Sequence, residues 1–466
     1  MNLDPTRSER EIRQFRTSLD GRHVLVIGAG RSGIAAVRRL LRCGARVRLA
    51  DIKSREDLPE AVEDVEGLGA EFIAQFESLA QAPGTDLIIP SPGVPTDHRA
   101  LVEAREKDVE TWGTLELGYR LYPGPVIAIT GTNGKGTTCC LLANMLEEAG
   151  MSRILAGNIG CPLAAQIDAA TTQTPAVVEV SSFQLETVVD FRPRVATVLN
   201  IAPEHLNRHQ TFQEYSRIKA RIFENQRPDD FVVVNTDDRT VRRLSEVSPG
   251  TALRVSLRSD SLEGAVVGGH LTVRLKDRTE RICPVDDLPL RGEHHLTNAL
   301  VAAAIARLAG VSVRAIGRAI RAYKPPRHHM EVVRNIEGVT FINDSKASNP
   351  QAAAADLAAM DGPFVAIVGG RDKGGDFGEL GRVLRERAQA VVLIGEAADR
   401  IAAEIGERKT IERARSLPEA IERAADLARS GDAVILAPAC SSFDMFRDYA
   451  HRGDVFSETV HDRTGE

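Results

Sequence analysis

The chain has 466 residues, which at roughly 100–200 residues per domain allows about three domains. Hydrophobic residues make up 43% and charged residues 27%, and the formal net charge is -6; this is the make-up of a globular protein, and it excludes a nucleic-acid coat or a polybasic membrane anchor. No apolar run of about 18 residues is present, the charged N-terminus lacks a signal-peptide core, and six scattered cysteines form no CxxC, so the expected setting is the reducing cytoplasm, with no thiolate zinc site and no membrane partner.

Short apolar strands alternate with Ala/Leu-rich helical stretches, the pattern of parallel α/β sheets. The first strand, His23 to Ile27, runs into Gly28-Ala29-Gly30-Arg31-Ser32-Gly33 and a helix from Ile34 to Cys43 that Gly44 ends. A second strand, Arg46 to Ala50, ends in Asp51, 23 residues after Gly28, about where a ribose-binding carboxylate is expected. The glycines permit a tight turn and close approach of backbone to phosphate, and the same physics serves any nucleotide diphosphate. The strand Asp86 to Ile89 leads into Ser91-Pro92-Gly93, a second wall for that site.

A domain boundary is expected near Arg120, where Tyr122-Pro123-Gly124-Pro125 punctuates the chain, and another near Lys324, before Pro325-Pro326. These give segments 1–120, 121–324 and 325–466. The second segment opens with the strand Pro125 to Thr130 and the loop Gly131-Thr132-Asn133-Gly134-Lys135, followed by a helix with Leu141, Leu142, Met145, Leu146 and Ala149 at helical spacing and Gly150 at its end. Backbone amides in such a loop cradle phosphates and the lysine offsets their charge. The match to the Walker pattern is imperfect: Ile129 stands where its first glycine belongs, and Gly136 follows the lysine, leaving Thr137 and Thr138 as the nearest hydroxyls for Mg²⁺. A chain with two nucleotide signals differs from a dehydrogenase; one site suits ATP and the other a nucleotide-bearing substrate.

Ala176 to Val180 reads as a strand with Glu179 near its end, and Arg194 to Ile201 as another that leads to Glu204-His205; in a parallel sheet both ends reach the face where the phosphate loop opens, so Glu179 and His205 are candidate Mg²⁺ ligands. From Phe212 to Asn225 the pattern is helical. Lys219 falls inside the apolar stripe of Phe212, Tyr215, Ile222 and Phe223, so it either snorkels to solvent or is buried as a neutral amine able to take up CO₂ as a carbamate. Thr251 to Leu290 reads as a β appendage without chemistry. The third segment repeats the strand-to-glycine pattern at Phe364 to Val368 and Gly369-Gly370-Arg371-Asp372-Lys373.

At these residues the chain resembles the Mur ligase family, and within it the glutamate-adding branch. The motifs that carry the resemblance are Ser91 to Pro95, Gly131 to Lys135, Glu179 to Glu186, Leu199 to His205, Gly292 to Asn298, Asn343 to Asn349, Gly369 to Lys373 and Pro438 to Asp444. The resemblance implies a monomer with three α/β domains: a Rossmann-like N-terminal domain, a P-loop-type central ATPase domain and a Rossmann-like C-terminal domain. It implies a cytoplasmic enzyme that adds D-glutamate to UDP-N-acetylmuramoyl-L-alanine through an acyl phosphate, with small molecules as its only partners. Gly30, Arg31, Ser32, Asp51, Ser91, Gly93, Asn158 and His205 would bind the UDP substrate. Gly131, Thr132, Asn133, Gly134, Lys135, Gly136, Thr137, Asn298, Arg327 and Asp344 would bind ATP. Thr137, Glu179, His205 and a carbamylated Lys219 would hold two Mg²⁺ ions, and Lys346, Ser348, Lys373, Ser442 and Tyr449 would bind glutamate. Lys135, Glu179, His205 and Lys219 would be catalytic. Three departures stand out: Gly136 replaces a hydroxyl residue, His329 falls at the family's ATP-contacting arginine (with Arg327 as a substitute), and Asn207 replaces an aspartate. Gly136 is shared with the folylpolyglutamate synthases, the runner-up family; an inactive ATP-binding interaction protein is a further alternative.

Overall fold

The alternating strands and small-residue helices assemble into three sheets of five, nine and six strands. The computed structural model describes residues 3–463 except 276, 277 and 408. Two compact units are present: the first comprises the chain up to Ile201 with Ser216–Pro284 and Asn298–Ile320, and the second comprises Ala202–Tyr215, Val285–Thr297 and the chain from Arg321 onward. Among the described residues no helix is long and apolar enough to cross a membrane.

The first unit holds two of the sheets. The five-stranded one runs Glu71–Ile73, Arg46–Ala50, His23–Ile27, Leu87–Pro90, Glu110–Thr111, every pairing parallel. Strand order reverses between His23–Ile27 and Leu87–Pro90, and at that switch point Ser91 N–H donates to Ile27 O at 2.8 Å. The helix after the glycine turn is Arg31–Arg42; Gly44, at φ +82°, lets the chain leave it.

The nine-stranded sheet is parallel through Ile154–Gly157, Ala176–Glu179, Val126–Thr130, Val195–Val198, Phe231–Asn235, Thr251–Ser256 and Gly264–Val267, and closes with two antiparallel strands, His270–Leu275 and Arg278–Pro284. Two sequence expectations change here. The segment from Thr251 is no appendage: Thr251–Ser256 pairs in register with Phe231–Asn235 and extends the same sheet. The strand expected over Arg194 to Ile201 ends at Val198, because the next residues turn from the ladder toward the phosphate loop, where Asn200 is held by both its backbone and its side chain. In register, Ile129 lies beside Glu179 and Thr130 beside Val198, so both neighbouring strands end where the loop begins.

Charged side chains, the buried Glu116 first among them, join the two sheets. The Glu116 carboxylate, with 0% of its side chain exposed, accepts from the N–H groups of Val189, Asp190 and Phe191 at 2.9, 2.9 and 3.1 Å and from Arg120 Nε at 2.7 Å. Arg39 grips Asp168 with both terminal nitrogens, at 2.8 and 2.9 Å, while its Nε donates to Ala164 O. The second unit holds the six-stranded sheet: Glu331–Ile336, Val339–Asn343, Ala433–Leu436, Phe364–Gly369, Ala388–Ile394, Thr410–Arg413, parallel except for the first pair. Its core has two faces, one around Leu357, Leu380 and Ile401, the other around Leu417, Ile421 and Phe456.

Replacing Glu116 by Ala strands three buried N–H groups and Arg120. The expected loss is on the order of 3–5 kcal/mol, read as a lower urea midpoint for the first unit's unfolding transition; Glu116→Gln is expected to lose less.

Candidate active site

The loop Gly131–Gly134 needs glycine for two reasons. Gly131 and Gly134 adopt φ of +152° and +80°, and a Cβ on Gly134 would stand 2.4 Å from Asn298 Oδ1. Helix Lys135–Glu148 starts directly at the loop, with no side-chain cap, so its first amides are offered to whatever sits in the cradle. Asn200 holds the cradle's shape: its Oδ1 accepts from Asn133 N–H at 2.8 Å, its Nδ2 donates to Asn133 O at 3.0 Å, and its carbonyl accepts from Thr132 N–H. Sequence reading missed this positioning role of Asn200, although it stands inside the Leu199 to His205 motif. Thr132 and Thr137 are buried in the loop and first turn.

Two lysines converge on one carbonyl. Lys135 Nζ donates to Gly131 O at 2.9 Å and to Thr132 O at 2.7 Å. Lys219, on helix Phe212–Ala220 and only 1% exposed, donates from Nζ to the same Gly131 O at 2.9 Å and to Thr130 Oγ1 at 3.2 Å. Of the two readings of Lys219, burial holds and snorkelling to solvent does not. Glu179 is buried at the end of its strand, and its Oε1 accepts from Asn158 Nδ2 at 2.7 Å, so the structure places those two predicted residues together. Glu179 and Thr137 offer carboxylate and hydroxyl oxygens, the hard donors that suit Mg²⁺.

At the N-terminal turn, Ser91 Oγ donates to Gly28 O at 3.0 Å, and a Cβ on Gly33 would lie 1.9 Å from Gly28 O, which explains the third glycine as a packing requirement. Asp51 is committed to the turn: its Oδ2 accepts from Ala29 N–H at 2.7 Å and its Oδ1 from Lys53 N–H at 3.0 Å. Gly30 caps the following helix without a side chain, Arg31 donates to Gly160 O, and Ser32, Arg31, Gly30 and Gly93 all reach the surface of the first unit.

His205 belongs to the second unit. It sits in the left-handed region at φ +55° and, with Glu204, Ser348, Asn349, Arg371 and Lys373, lines a depression there. Lys346 Nζ stands 4.7 Å from the Tyr449 ring centroid, Ser442 is buried, and Arg327 pairs with Asp454 at 2.9 Å on the surface. A residue not foreseen braces this region. Arg452, 1% exposed, donates to Ser345 Oγ and O at 3.0 and 2.9 Å and to Cys440 O at 3.1 Å, tying the Asn343 to Asn349 motif to the Pro438 to Asp444 motif. Burial lowers its pKa to about 10.

Also unforeseen is a buried imidazole–carboxylate cluster in the second unit. Asp356 Oδ1 faces His294 Nε2 at 3.0 Å and His295 Nε2 at 3.4 Å, and His329, Asp344 and Asp356 bring ligand atoms within 4.8 Å of one another. Burial pushes His329 down to about 4 and His295 below its usual value, so both rings are neutral at pH 7. Asp344 is raised by burial and then by Asp356, whereas Asp356 stays low against its own burial because His294 and His295 face it. The doubled histidine at 294–295 was the sequence signal for this cluster.

Comparison with known proteins gives three family matches: the Mur ligase MurD-like N-terminal domain over residues 22–113, the Mur ligase middle domain over 129–306 and the Mur ligase glutamate ligase domain over 328–440. The UDP-N-acetylmuramoylalanine--D-glutamate ligase of Pelotomaculum thermopropionicum is 42% identical over 446 residues, 94% of this chain and 97% of that one. The protein of the same name from Acidobacterium capsulatum is 40% identical, covering 95% of this chain and 96% of its own. Among solved structures, UDP-N-acetylmuramate-alanine ligase MurC from Thermotoga maritima aligns with TM-score 0.60 at 17% identity over 94% of this chain and 99% of that one. MurF from Acinetobacter baumannii aligns at 0.61 and 18% over 98% and 100%; both show the shared three-domain α/β fold.

Gly134→Ala forces a side chain into the left-handed region and against Asn298. We expect at least about a tenfold loss of ATP affinity by titration calorimetry, corresponding to a strain of roughly 1–2 kcal/mol, with the far-ultraviolet circular dichroism unchanged.

Proposed function

The chain belongs to the Mur ligase family, and from that premise we propose that it is an ATP-dependent ligase that joins D-glutamate to UDP-N-acetylmuramoyl-L-alanine in the cytoplasm, supplying a peptidoglycan precursor. The observation that carries this reading is the end-to-end match to relatives named for that reaction, at 42% identity.

Amide formation from a carboxylate needs activation. The alanine carboxylate of the substrate attacks the γ-phosphate of ATP, and ADP departs from the acyl phosphate. The glutamate amine then adds to the acyl carbonyl, and the tetrahedral intermediate expels phosphate. In the first step two anions must meet, and Lys135 at the loop lowers that repulsion. Mg²⁺, when bound by Glu179 and Thr137, would supply further charge neutralisation. The loop amides of Gly131 to Thr137 orient the phosphates, with Asn298, Arg327 and Asp344 as further nucleotide contacts. His205 is assigned to metal and UDP substrate. Gly30, Arg31, Ser32, Asp51, Ser91, Gly93 and Asn158 are assigned to the UDP substrate, and Lys346, Ser348, Lys373, Ser442 and Tyr449 to glutamate.

Lys219 is assigned as a carbamate. Lys219 Nζ and Lys135 Nζ reach the same carbonyl, and a carbamate would turn one of these two cations into an anion beside the other. Neutral Nζ adds to CO₂ and releases a proton, leaving an anion that Lys135 attracts and that can ligate a second Mg²⁺.

Lys219→Ala is expected to lose ligation and to recover part of it with added acetate or formate; full activity without them would reject the carbamate. Lys373→Ala is expected to raise the glutamate KM at least about tenfold with the ATP KM little changed, consistent with loss of one charge-assisted contact. Phosphate release should require UDP-N-acetylmuramoyl-L-alanine and D-glutamate together; release with folate substrates instead would overturn the reading.

A further inference from the structure

We propose, resting on the glutamate-ligase reading above, that Arg371 is a further specificity-determining residue: together with Lys373 it takes one of the two carboxylates of the incoming glutamate, and Lys346 takes the other.

Arg371 is placed by its backbone. The strand Phe364–Gly369 leaves the sheet through Gly369 and Gly370, at φ of +128° and +140°. A Cβ on Gly370 would lie 2.5 Å from Ser441 O and 3.1 Å from Cys440 Cβ, so glycine lets this exit press against the Pro438 to Asp444 motif. The next residue is pinned there twice: Arg371 N–H donates to Ser441 O at 2.9 Å, and Ser441 Oγ donates to Arg371 O at 3.3 Å. The arginine is thereby anchored beside Ser442 and two residues from Lys373, both assigned to glutamate, and it lines the same depression as Lys373, Ser348 and His205.

The charge balance of that depression points to an anionic ligand. Its two acids are already engaged. The Asp372 carboxylate accepts from Arg400 and, at 2.7 Å, from Gly374 N–H. Arg400 is held there by a further bond to Gly375 O at 3.0 Å and by the Phe377 ring, whose centroid lies 5.0 Å away. Glu204 accepts from Asn349 Nδ2 at 3.4 Å and stands 3.9 Å from His205 Nε2. Among the described residues the side chains of Arg371 and Lys373 form no ion pair, and both are exposed, so the depression offers two uncompensated cations. The planar guanidinium fork matches a carboxylate in two-pronged fashion, and the lysine adds a point charge. Lys346 is not among the residues that line the depression; its Nζ stands 4.7 Å from the Tyr449 ring centroid. Three cations thus meet a substrate with two carboxylates: the pair in the depression shares one, and the solitary lysine takes the second. A neutral or amidated side chain would leave cations without their counter-charge, which disfavours the wrong amino acid as much as it favours glutamate.

The test is steady-state kinetics on the full-length chain with ATP and UDP-N-acetylmuramoyl-L-alanine saturating and D-glutamate varied. The glutamate KM is expected to rise less than about threefold in Arg371→Lys, about tenfold in Arg371→Ala and further in Arg371→Glu, with kcat and the ATP KM within about twofold of the unaltered chain. A merely structural arginine would not order the three variants by charge. A flat series, or an equal rise in the ATP KM, would overturn the proposal. Crystals of the unaltered protein grown with D-glutamate give the second measurement: one carboxylate is expected within about 3 Å of both the Arg371 guanidinium and Lys373 Nζ. A carboxylate held by Lys373 with Arg371 turned to solvent would also overturn it. Failure of the unaltered chain to consume D-glutamate would remove the ligase reading as well, whereas normal turnover with a flat Arg371 series removes this assignment alone.

Discussion

The carbonyl oxygen of Gly131 accepts from two lysine side chains, one at the start of the phosphate-loop helix and one from a helix more than eighty residues later. That convergence organises the central site. Gly131 itself sits at φ +152°, and Asn200 holds the following residues from the other side. The strands of Glu179 and Val198 end in register with the start of the loop. The loop is thus fixed from three sides before any ligand enters it: by glycine conformation, by Asn200 and by the two lysines.

Around that cradle, charged side chains tie the two sheets of the first unit together. The Glu116 carboxylate caps three successive backbone N–H groups of the neighbouring domain, and the Arg39–Asp168 pair adds a two-pronged link. Glu116 is costly to bury and costlier to strip of its partners, which resists slippage between the two sheets. The residues assigned to glutamate stand on the other unit, where Arg452 binds two motifs from within.

Much of this was legible in the residues. The three strand-to-glycine turns became strands at the expected places because period, glycine and small-residue helices all agree locally. Lys219 was detectable because a charge on an apolar stripe breaks the pattern. The roles of Asn200, Arg452 and Asp356 were not legible: each acts on a partner distant in sequence, and an asparagine, arginine or aspartate at such positions looks like any solvated polar residue. The end of the strand at Val198 was missed for a related reason, since a tertiary hydrogen bond to the loop, and not local propensity, draws Asn200 from the ladder. The continuity of Thr251–Ser256 with the main sheet depends on register, which alternation alone does not specify.

The two antiparallel strands that close the nine-stranded sheet matter for solubility. An open parallel edge would present unpaired amides to any passing chain. Here the outermost strand, Arg278–Pro284, carries Arg278, Glu280 and Arg281 and ends in a proline that has no N–H to give. Arg307 pairs with Glu280 and holds that border in place. Self-association by edge-to-edge stacking is thereby discouraged at this margin, without any contribution from the residues that do the chemistry.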